Sequence, residues 1–466
     1  MKILALLSRR KSIEQLQQEA GASRDFRRVL GLWQLTAIGL GGIIGVGIFV
    51  LTGVVAATQT GPAVTLAFIM AGIASAAAAL CYAEFAGMIP VTGSAYTYGY
   101  AVLGEFAAWL LGWDLLLCYA LIVAVVAAGW SGYVQALLGA AGVRLPAWAE
   151  GAAGSGAGHV FDVIAAFVAL GIALLLTVRT EWGARLNTAI VAVKIAGILL
   201  VIIAGIFYVK PEHWHPFMPF GFSGVLSGAA VVFFAVFGYD TLTTAAEEAK
   251  DPQRDLPWAV VLSFAIAMLL YLAMSLVLTG MVPSSSLNNP APVANAFADI
   301  GLRWVMVAVS VAAIMGITSV LFANMLAGAR IGFALARDRL IPEWFAGVHP
   351  RFRTPYRATL ILGVVTAVSA GLFPLTAVAQ LANVGMLSAF FVICGAIIVL
   401  RRGRPELKRS FRVPAVPLLP LVGMGFCGWL IYGLPVSTDL GFIAWMVLGV
   451  ALYFAYGLRH SRLAGP

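Results

Sequence analysis

The sequence predicts an all-α integral membrane protein with twelve transmembrane helices. Of its 466 residues 61% are hydrophobic and only 11% are charged, a balance that excludes an ordinary soluble domain. Hydropathy windows of ~19 residues find twelve apolar segments of the length that a membrane-crossing helix needs. These predicted spans are 33–57, 62–88, 101–131, 160–178, 186–208, 222–247, 257–282, 303–335, 358–374, 376–400, 414–434 and 439–458.

The basic residues predict the orientation of these spans. Most of the 29 Lys and Arg residues precede the first span or fall in loops that share its side, whereas the opposite face carries only Arg144, Lys210 and Arg303. By the positive-inside rule both termini are cytoplasmic, which requires an even number of spans. The net charge of +9 is therefore explained by topology and does not indicate a nucleic-acid partner.

Three regions follow from this organisation. Residues 1–30 form a polar cytoplasmic segment, 31–460 the transmembrane domain, and 461–466 a cytoplasmic tail. The polar segment has no cleavable apolar stretch, so we expect the first span to act as the insertion signal. All four cysteines fall inside predicted spans, so no extracellular disulfide is expected.

The first span contains five glycines between Gly39 and Gly47. Glycine in a helix interior costs about 1 kcal/mol relative to alanine, and unwound backbone inside a membrane must be buried in protein or line a cavity. Two interpretations follow. The Gly41–Gly45 pair could let a second helix approach closely, or the broken helix could offer backbone groups to a ligand.

A second interruption lies in the sixth span, where Gly238 and Asp240 follow a run of aromatic residues. Asp240 could cap a new half-helix, since aspartate accepts from free N–H groups. Breaks in the first and sixth spans occupy corresponding positions of two five-span halves. Such a pair indicates a substrate site in transporters built from inverted repeats, and it favours binding as the role of the glycine segment.

Five ionisable residues fall inside the spans: Glu84, Glu105, Asp114, Lys194 and Asp240. Such residues are functional candidates by default. Glu84 and Glu105 are near span ends, where capping or solvation at the interface is the simpler expectation. Lys194 lies about eight residues into its span, or ~12 Å along the helix axis. It could snorkel to the surface, or gain and lose a proton during a cycle, as lysine does more readily than arginine.

Several motifs together resemble one family. In chain order they are GLGGIIGVGIFVLTG (39–53), IPVTGSAYTY (89–98), GWD (112–114), GWSGY (129–133), Lys194, GYD and AEEAKDPQRDLP (238–257), and RIGFALARDRLIP (330–342). This pattern is similar to the amino acid–polyamine–organocation superfamily, in the bacterial type of its cationic amino acid transporter branch. The resemblance covers residues 28 to 460 and is specific for the family, although it says little about the substrate.

The resemblance implies a leucine-transporter-like fold, with a five-plus-five inverted repeat, broken helices 1 and 6, and two further C-terminal helices. It implies that N–H groups of the first break bind a substrate carboxylate and that carbonyls of both breaks bind its ammonium, as half-helix dipoles favour. The predicted substrate-binding residues are Ile43, Ile44, Gly45, Val46, Gly47, Phe234, Ala235, Phe237 and Asp240. Phe234 corresponds to the aromatic gate above the substrate.

The resemblance also assigns the coupling ion. Lys194 corresponds to a lysine that takes the place of a sodium ion in sodium-coupled relatives, next to a hydroxyl pair that is here Thr318 and Ser319. A proton would then drive uptake of an L-amino acid across a bacterial inner membrane. The family usually has Glu in the third span where this chain has Cys118. The missing carboxylate and the bulky Phe237 favour neutral over cationic substrates.

Other functions remain open at this point. An exchanger would need no titrating ion, and an amino acid sensor would keep the same pocket. A channel would need a polar lining that the spans lack. For an enzyme we expect a nucleophile–base or metal cluster, but all five histidines fall outside the predicted spans, and His213 and His215 are typical of a solvated loop. The sequence therefore predicts no catalytic residue, metal or other cofactor.

Overall fold

Helices dominate the regular structure of the chain. The computed structural model describes residues 9–10, 30–89, 94–178, 184–243, 246–352 and 354–462, apart from the side chains of 184–187 and 247. Within these ranges the only β-type pairings are isolated bridges, such as the one between Leu30 and Ala249. The all-α class predicted from the sequence is confirmed. The predicted cytoplasmic segment 1–30 lies mostly outside the described residues.

We number the main helices in chain order. They are α1 (Leu32–Ile43), α2 (47–60), α3 (Val64–Met88), α4 (Ser94–Val102), α5 (Glu105–Ala140), α6 (Val163–Val178), α7 (Ala184–Gly205), α8 (Gly221–Val232), α9 (Asp240–Thr243), α10 (Pro252–Met281), α11 (Pro292–Asp299), α12 (Arg303–Arg337), α13 (Tyr356–Leu372), α14 (Leu375–Gly403), α15 (Leu418–Tyr432) and α16 (Val436–Leu452).

Eight helical stretches of the described chain are long and apolar enough to cross a membrane. The shorter apolar helices α1, α6, α13 and α15 have 10 to 17 residues each. Helix α2 continues into α3 through a tight turn at Gly61, whose φ of +62° favours glycine. The ninth and tenth predicted spans are separate helices, because α13 ends at Leu372 and Pro374 precedes α14.

The surface of the molecule is apolar along the helices and aromatic near several of their ends. Phe167 and Leu269, within α6 and α10, are 76% and 71% exposed. Trp33 and Trp304 lie one residue inside the starts of α1 and α12 and are 72% and 65% exposed. Exposed apolar helix faces with tryptophan near their ends are typical of membrane proteins, so the chain is a multi-pass membrane protein.

The long helices α5 and α12 pack against each other, and α1 packs against α7, α10 and α12. Helices α16 and α5 contact each other through a tryptophan from each. The rings of Trp113 and Trp445 are stacked with centroids 4.3 Å apart. The indole N–H of Trp113 donates to the Trp445 carbonyl at 2.9 Å, and that of Trp445 donates back to the Trp113 carbonyl at 3.2 Å. The C-terminal helices therefore lie against the same scaffold that supports the broken helices.

Capping or solvation at the interface was the expectation for Glu84, and the structure shows neither. The Glu84 side chain is fully buried. Its Oε1 accepts from the Nε atoms of Arg401 and Arg409, each at 3.1 Å, and its Oε2 accepts from Arg401 and from the Val413 N–H. The guanidinium groups come from the end of α14 and the loop after it, so Glu84 ties α3 to that region.

The same expectation is wrong for Glu105, which is also fully buried. Its carboxylate accepts hydroxyl groups from Tyr100 and Tyr453, each at 3.0 Å, and from Ser461 at 2.6 Å. Two of these donors come from the C-terminal end of the chain. Both glutamates stabilise packing between distant segments instead of facing water.

Candidate functional site

The first interruption lies where the glycine segment predicted it. Helix α1 ends at Ile43, and Ile44 has extended backbone with φ −77° and ψ 108°. The chain resumes helical geometry as a π-helical turn at Gly47–Leu51. Carbonyl groups near a helix end lose their intrahelical partners, and those of this segment turn towards neighbouring helices.

The second interruption follows α8. A short 3₁₀ turn, Phe233–Ala235, ends the helix, and Gly238 has a φ of +118° that only glycine adopts readily. Helix α9 then begins at Asp240. Both breaks predicted from the sequence are therefore present in the described chain.

The two breaks lie against each other. A Cβ atom added at Gly42 would come within 2.6 Å of the Gly238 carbonyl oxygen, and one added at Gly47 within 2.5 Å of the Cα of Ala235. Real Cβ atoms do not approach other atoms this closely, so these glycines are needed for packing. The two interpretations of the glycine segment are compatible, since close packing is what holds the unwound backbone in place.

A small pocket lies between the breaks. It is lined by Gly42, Ile43, Gly45, Val46, Gly47, Ile122, Val126, Phe234, Phe237, Val320 and Asn324. About 10 Å³ of it is available to the centre of a water molecule, which is room for about one water. The rings of Phe234 and Phe237 meet edge to face at 5.3 Å. A ligand of amino acid size therefore requires these aromatic side chains, or the helices that carry them, to move apart.

Six of the nine predicted substrate residues line this pocket: Ile43, Gly45, Val46, Gly47, Phe234 and Phe237. Ala235 packs behind it against Gly47. The sequence reasoning missed five lining residues, which are Gly42 of α1, Ile122 and Val126 of α5, and Val320 and Asn324 of α12. Asn324 is the one side-chain amide among the lining residues, and its Nδ2 donates to the Val320 carbonyl at 2.9 Å. Nothing local in the sequence distinguishes it, because its place in the pocket depends on how α12 packs.

Lys194 lies on the other side of the first break. Its side chain is fully buried, and its Nζ is 3.0 Å from the carbonyl oxygens of both Gly41 and Ile44 and 3.3 Å from Ser319 Oγ. The Ser319 hydroxyl donates to the Gly316 carbonyl at 2.7 Å, so its oxygen is an acceptor for the lysine. Three acceptors match the three N–H donors of an ammonium group. The alternative that Lys194 snorkels to the surface is wrong.

The hydroxyl groups of Thr318 and Ser319, which were predicted to lie together beside Lys194, have different partners. Ser319 contacts Lys194, whereas the Thr318 hydroxyl donates to the Ile314 carbonyl at 2.7 Å and accepts from the Trp130 indole N–H at 2.9 Å. Successive residues of a helix point about 100° apart, so the two hydroxyls face different neighbours. The grouping of Thr318 with Lys194 is not seen in this conformation.

Asp240 contacts α5 and does not belong to the pocket lining in the described chain. Its buried carboxylate accepts the hydroxyl of Tyr119. One residue earlier, the Cys118 thiol donates to Asp114 Oδ1 at 3.3 Å. Cys118, at the position that the resemblance gives to Glu, thus contacts the buried Asp114 and directly precedes Tyr119, which contacts the second break.

Two further carbonyls at the breaks are bound by hydroxyl groups. Tyr271 of α10 donates to the Ile43 carbonyl at 2.9 Å, and Ser75 of α3 donates to the Val236 carbonyl at 2.6 Å. Carbonyl oxygens have two lone pairs, so each can accept a second donor from a ligand. Neighbouring helices therefore support the unwound backbone at both breaks.

Comparison with known proteins identifies the family of the chain. A family model described as amino acid permease matches residues 30–454. The chain belongs to this amino acid permease family. The matched residues include both breaks, Lys194 and the C-terminal helices up to residue 454, and the resemblance stated from the motifs is confirmed.

Relatives within the family differ in the substrates that their names give. The chain is 47% identical over 460 residues to the methylthioribose transporter of Bacillus subtilis, covering 99% of this chain and 100% of the relative. It is 41% identical over 458 residues to the branched-chain amino acid permease BcaP of the same organism, covering 98% of each. It is 38% identical over 403 residues to mouse cationic amino acid transporter 4, covering 85% of this chain and 62% of that protein.

Proposed function

We propose that this permease takes up neutral L-amino acids together with protons across a bacterial plasma membrane, by alternating access. The observation that carries the proposal is the position of Lys194, whose buried Nζ contacts two carbonyls of the first break and Ser319. A charge at this point links protonation to the backbone that forms one wall of the pocket. A proton can thereby change the relative stability of two conformations, which is what coupling requires.

The proposed architecture has twelve spans, with two inverted five-span halves and two additional helices at the end. The helical stretches support this count. Helix α1 and the start of the stretch Gly47–Met88 cover the first predicted span, the rest of that stretch covers the second, and the other ten stretches each coincide with one predicted span. The breaks after Ile43 and after Ala235 fall in the first span of each half. We propose residues 31–460 as the transport domain, with both flanking segments in the cytoplasm.

In the proposed site, the N–H groups of Val46 and Gly47 bind the substrate carboxylate, and the carbonyl of Ile43 with those of 234–237 binds the ammonium. Residues of both breaks line one pocket, which supports this arrangement. Asn324 is the one lining residue with a polar side chain, and the lining contains no carboxylate to pair with a cationic side chain. This composition favours substrates with neutral side chains. We propose that Asp240 acts indirectly, through its hydrogen bond with the Tyr119 hydroxyl, and does not itself contact the substrate.

The proposal is tested in proteoliposomes that contain purified protein. An inward proton gradient should concentrate a neutral amino acid such as leucine, and a sodium gradient alone should not. Uptake that requires an amino acid inside the vesicle, and is indifferent to the proton gradient, would identify an exchanger. Binding without any flux would identify a sensor. Either result would contradict proton-coupled uptake.

A second candidate substrate is methylthioribose, which the 47% identity to a transporter of that compound favours. Methylthioribose lacks both the carboxylate and the ammonium of an amino acid. The two candidates would therefore bind different backbone groups at the breaks. A thermal-shift screen against the amino acids and methylthioribose separates them, because a ligand that binds the folded state raises its stability by mass action. We expect stabilisation by branched-chain or other neutral amino acids.

A further inference from the structure

The loop between α12 and α13 combines positive charge with exposed aromatic side chains. Between residues 330 and 357 the chain has six arginines against two acidic residues. We call the described residues 338–352 and 354–357 the arginine–aromatic loop. Its Trp344, Val348 and Phe352 side chains are 55%, 45% and 36% exposed. Apolar groups and cations therefore share one surface of the molecule.

The arginine–aromatic loop has a defined shape. The guanidinium of Arg357 lies over the Trp344 ring at 4.9 Å, and its Nη1 donates to the Trp344 carbonyl at 3.2 Å. Its Nε donates to the Tyr356 hydroxyl at 2.9 Å. The Nδ1 atom of His349 accepts the N–H groups of Arg351 and Phe352 at 3.2 and 3.3 Å. These bonds fix the surface before any ligand arrives.

The loop lies at the level where apolar helices end. The Thr354 hydroxyl donates to the Thr177 carbonyl at 2.7 Å, one residue before the end of α6. Helix α12 ends at Arg337 and α13 begins at Tyr356. Three apolar helices thus end beside the loop. In a membrane this is the depth of the lipid headgroups, where tryptophan is enriched.

We propose that the arginine–aromatic loop binds the phosphate headgroup of an anionic phospholipid. Arg351 is exposed, with its guanidinium 5.4 Å from the Phe352 ring, and the Nη2 group of Arg357 has no partner among the described residues. Guanidinium groups bind phosphate oxygens strongly. The exposed Trp344 and Phe352 side chains would be removed from water by contact with the glycerol and acyl region of a lipid. A soluble phosphate has no such region. Charge and exposed apolar area together favour a lipid.

The nearby acidic residues do not cancel this charge. Glu343 is already paired with Arg339, and both side chains are more than half exposed. Asp338 is buried and accepts the Tyr96 hydroxyl at 2.6 Å. The acidic groups are therefore engaged with other partners, while Arg351 and Arg357 face the headgroup layer.

The test uses the full chain in nanodiscs and the fluorescence of Trp344, obtained as the difference between the parent and Trp344→Phe. A low mole fraction of brominated phosphatidylglycerol should quench this fluorescence more strongly than the same fraction of brominated phosphatidylcholine. We expect Arg351→Gln to weaken the apparent affinity for phosphatidylglycerol about fivefold, and Arg351→Gln with Arg357→Gln to weaken it by about the product of two such factors. Arg303→Gln, at the opposite end of α12, should leave it unchanged.

Equal quenching by the two lipids would overturn the proposal, as would a preference that persists in both arginine variants. Displacement of brominated phosphatidylglycerol by millimolar inorganic phosphate would show that free phosphate is the ligand instead. Absence of quenching by either lipid would show that something other than lipid covers Trp344. Arg351→Gln keeps the test valid if the double variant fails to fold, because the exposed Arg351 side chain supports no described helix contact.

Discussion

The Nζ atom of Lys194 lies 3.0 Å from the carbonyl oxygen of Ile44, at the residue where the first helix is interrupted. The side chain crosses from α7 to reach it and also contacts Gly41 and Ser319. One cation therefore joins α7, the first break and α12. Deprotonation removes the charge and one of the three N–H donors and so weakens all three contacts at once, which is how a single proton could release the break.

We expect Lys194→Met to abolish uptake driven by a proton gradient while leaving substrate binding in place. Methionine keeps the apolar stem of lysine but cannot bind the carbonyls of Gly41 and Ile44. The measurement is uptake into proteoliposomes at several external pH values, with binding followed by thermal shift. Lys210→Met, which changes an exposed lysine, is the matched control. If Lys194→Met still concentrates substrate with the parent's pH profile, coupling does not pass through this lysine.

The carboxylate site at Val46 and Gly47 is best tested through the ligand. An amino acid amide or the corresponding amine lacks the negative charge that favours a half-helix N-terminus. We expect both to bind at least about tenfold more weakly than the parent acid, since a hydrogen bond to a charged group is worth about 1.5–3 kcal/mol. Thermal shift or competition for uptake measures the difference. Equal affinities of an acid and its amide would remove the carboxylate from the model.

Substitution of Gly47 is a less specific test of this site. Any side chain there would clash with the Cα and Cβ atoms of Ala235, at 2.5 and 2.4 Å. Gly47→Leu would therefore separate the two breaks and lower the stability of the fold as well as binding. Its effect on uptake should be interpreted only beside a measured melting temperature.

The sequence was sufficient to predict the helical class and both breaks, because each depends on local composition. For Lys194 it left burial and snorkelling as alternatives. Family resemblance added the position of Phe234 at the pocket and that of Ser319 beside Lys194. Neither could predict that Asn324 lines the pocket or that Thr318 turns to Trp130. Those positions depend on how α5 and α12 rotate against each other, which no local pattern specifies.

Glu84 illustrates the same limit. A glutamate near a span end is ordinarily solvated, but its partners Arg401 and Arg409 are 317 and 325 residues away in the sequence. Only the packing of α14 and its following loop against α3 brings these charges together. Pairing over such distances cannot be inferred from the chain's local pattern.

Asn324 should influence which side chains the pocket accepts. Its amide is the one polar side chain in the lining, and leucine has nearly the same shape without hydrogen-bonding groups. We expect Asn324→Leu to raise the preference for leucine or valine over threonine or glutamine about tenfold, because an unpaired buried polar group costs about 1–3 kcal/mol. Competition for labelled substrate measures this ratio. The control is Ser310→Ala, which alters a buried polar residue of the same helix and should leave the ratio unchanged. If Asn324→Leu also leaves the ratio unchanged, the amide takes no part in side-chain recognition.

The proposed topology places the loop around Ser155 outside the cell. Ser155 is exposed, and all four native cysteines are buried, so Ser155→Cys should provide one reactive thiol on a low background. We expect an impermeant maleimide to label this variant in intact cells. Arg402→Cys, at the exposed end of α14, should react only after the cells are lysed. The reverse pattern would invert the orientation of every span.

Glu84 should be important for stability although it lies far from the pocket. Glu84→Gln keeps the side chain's size but leaves the Arg401 and Arg409 guanidinium groups without their shared carboxylate. Removing one partner of a buried pair typically costs about 3–5 kcal/mol. By contrast, Glu343→Gln breaks a pair with Arg339 in which the side chains are 62% and 56% exposed, and exposed pairs contribute about 0–1 kcal/mol. We therefore expect a marked fall in melting temperature for Glu84→Gln and little change for Glu343→Gln, measured on purified protein in the same detergent. If the two variants have the same melting temperature, the buried carboxylate contributes no more to stability than a surface one. The contact between α3 and α14 would then depend on apolar packing alone.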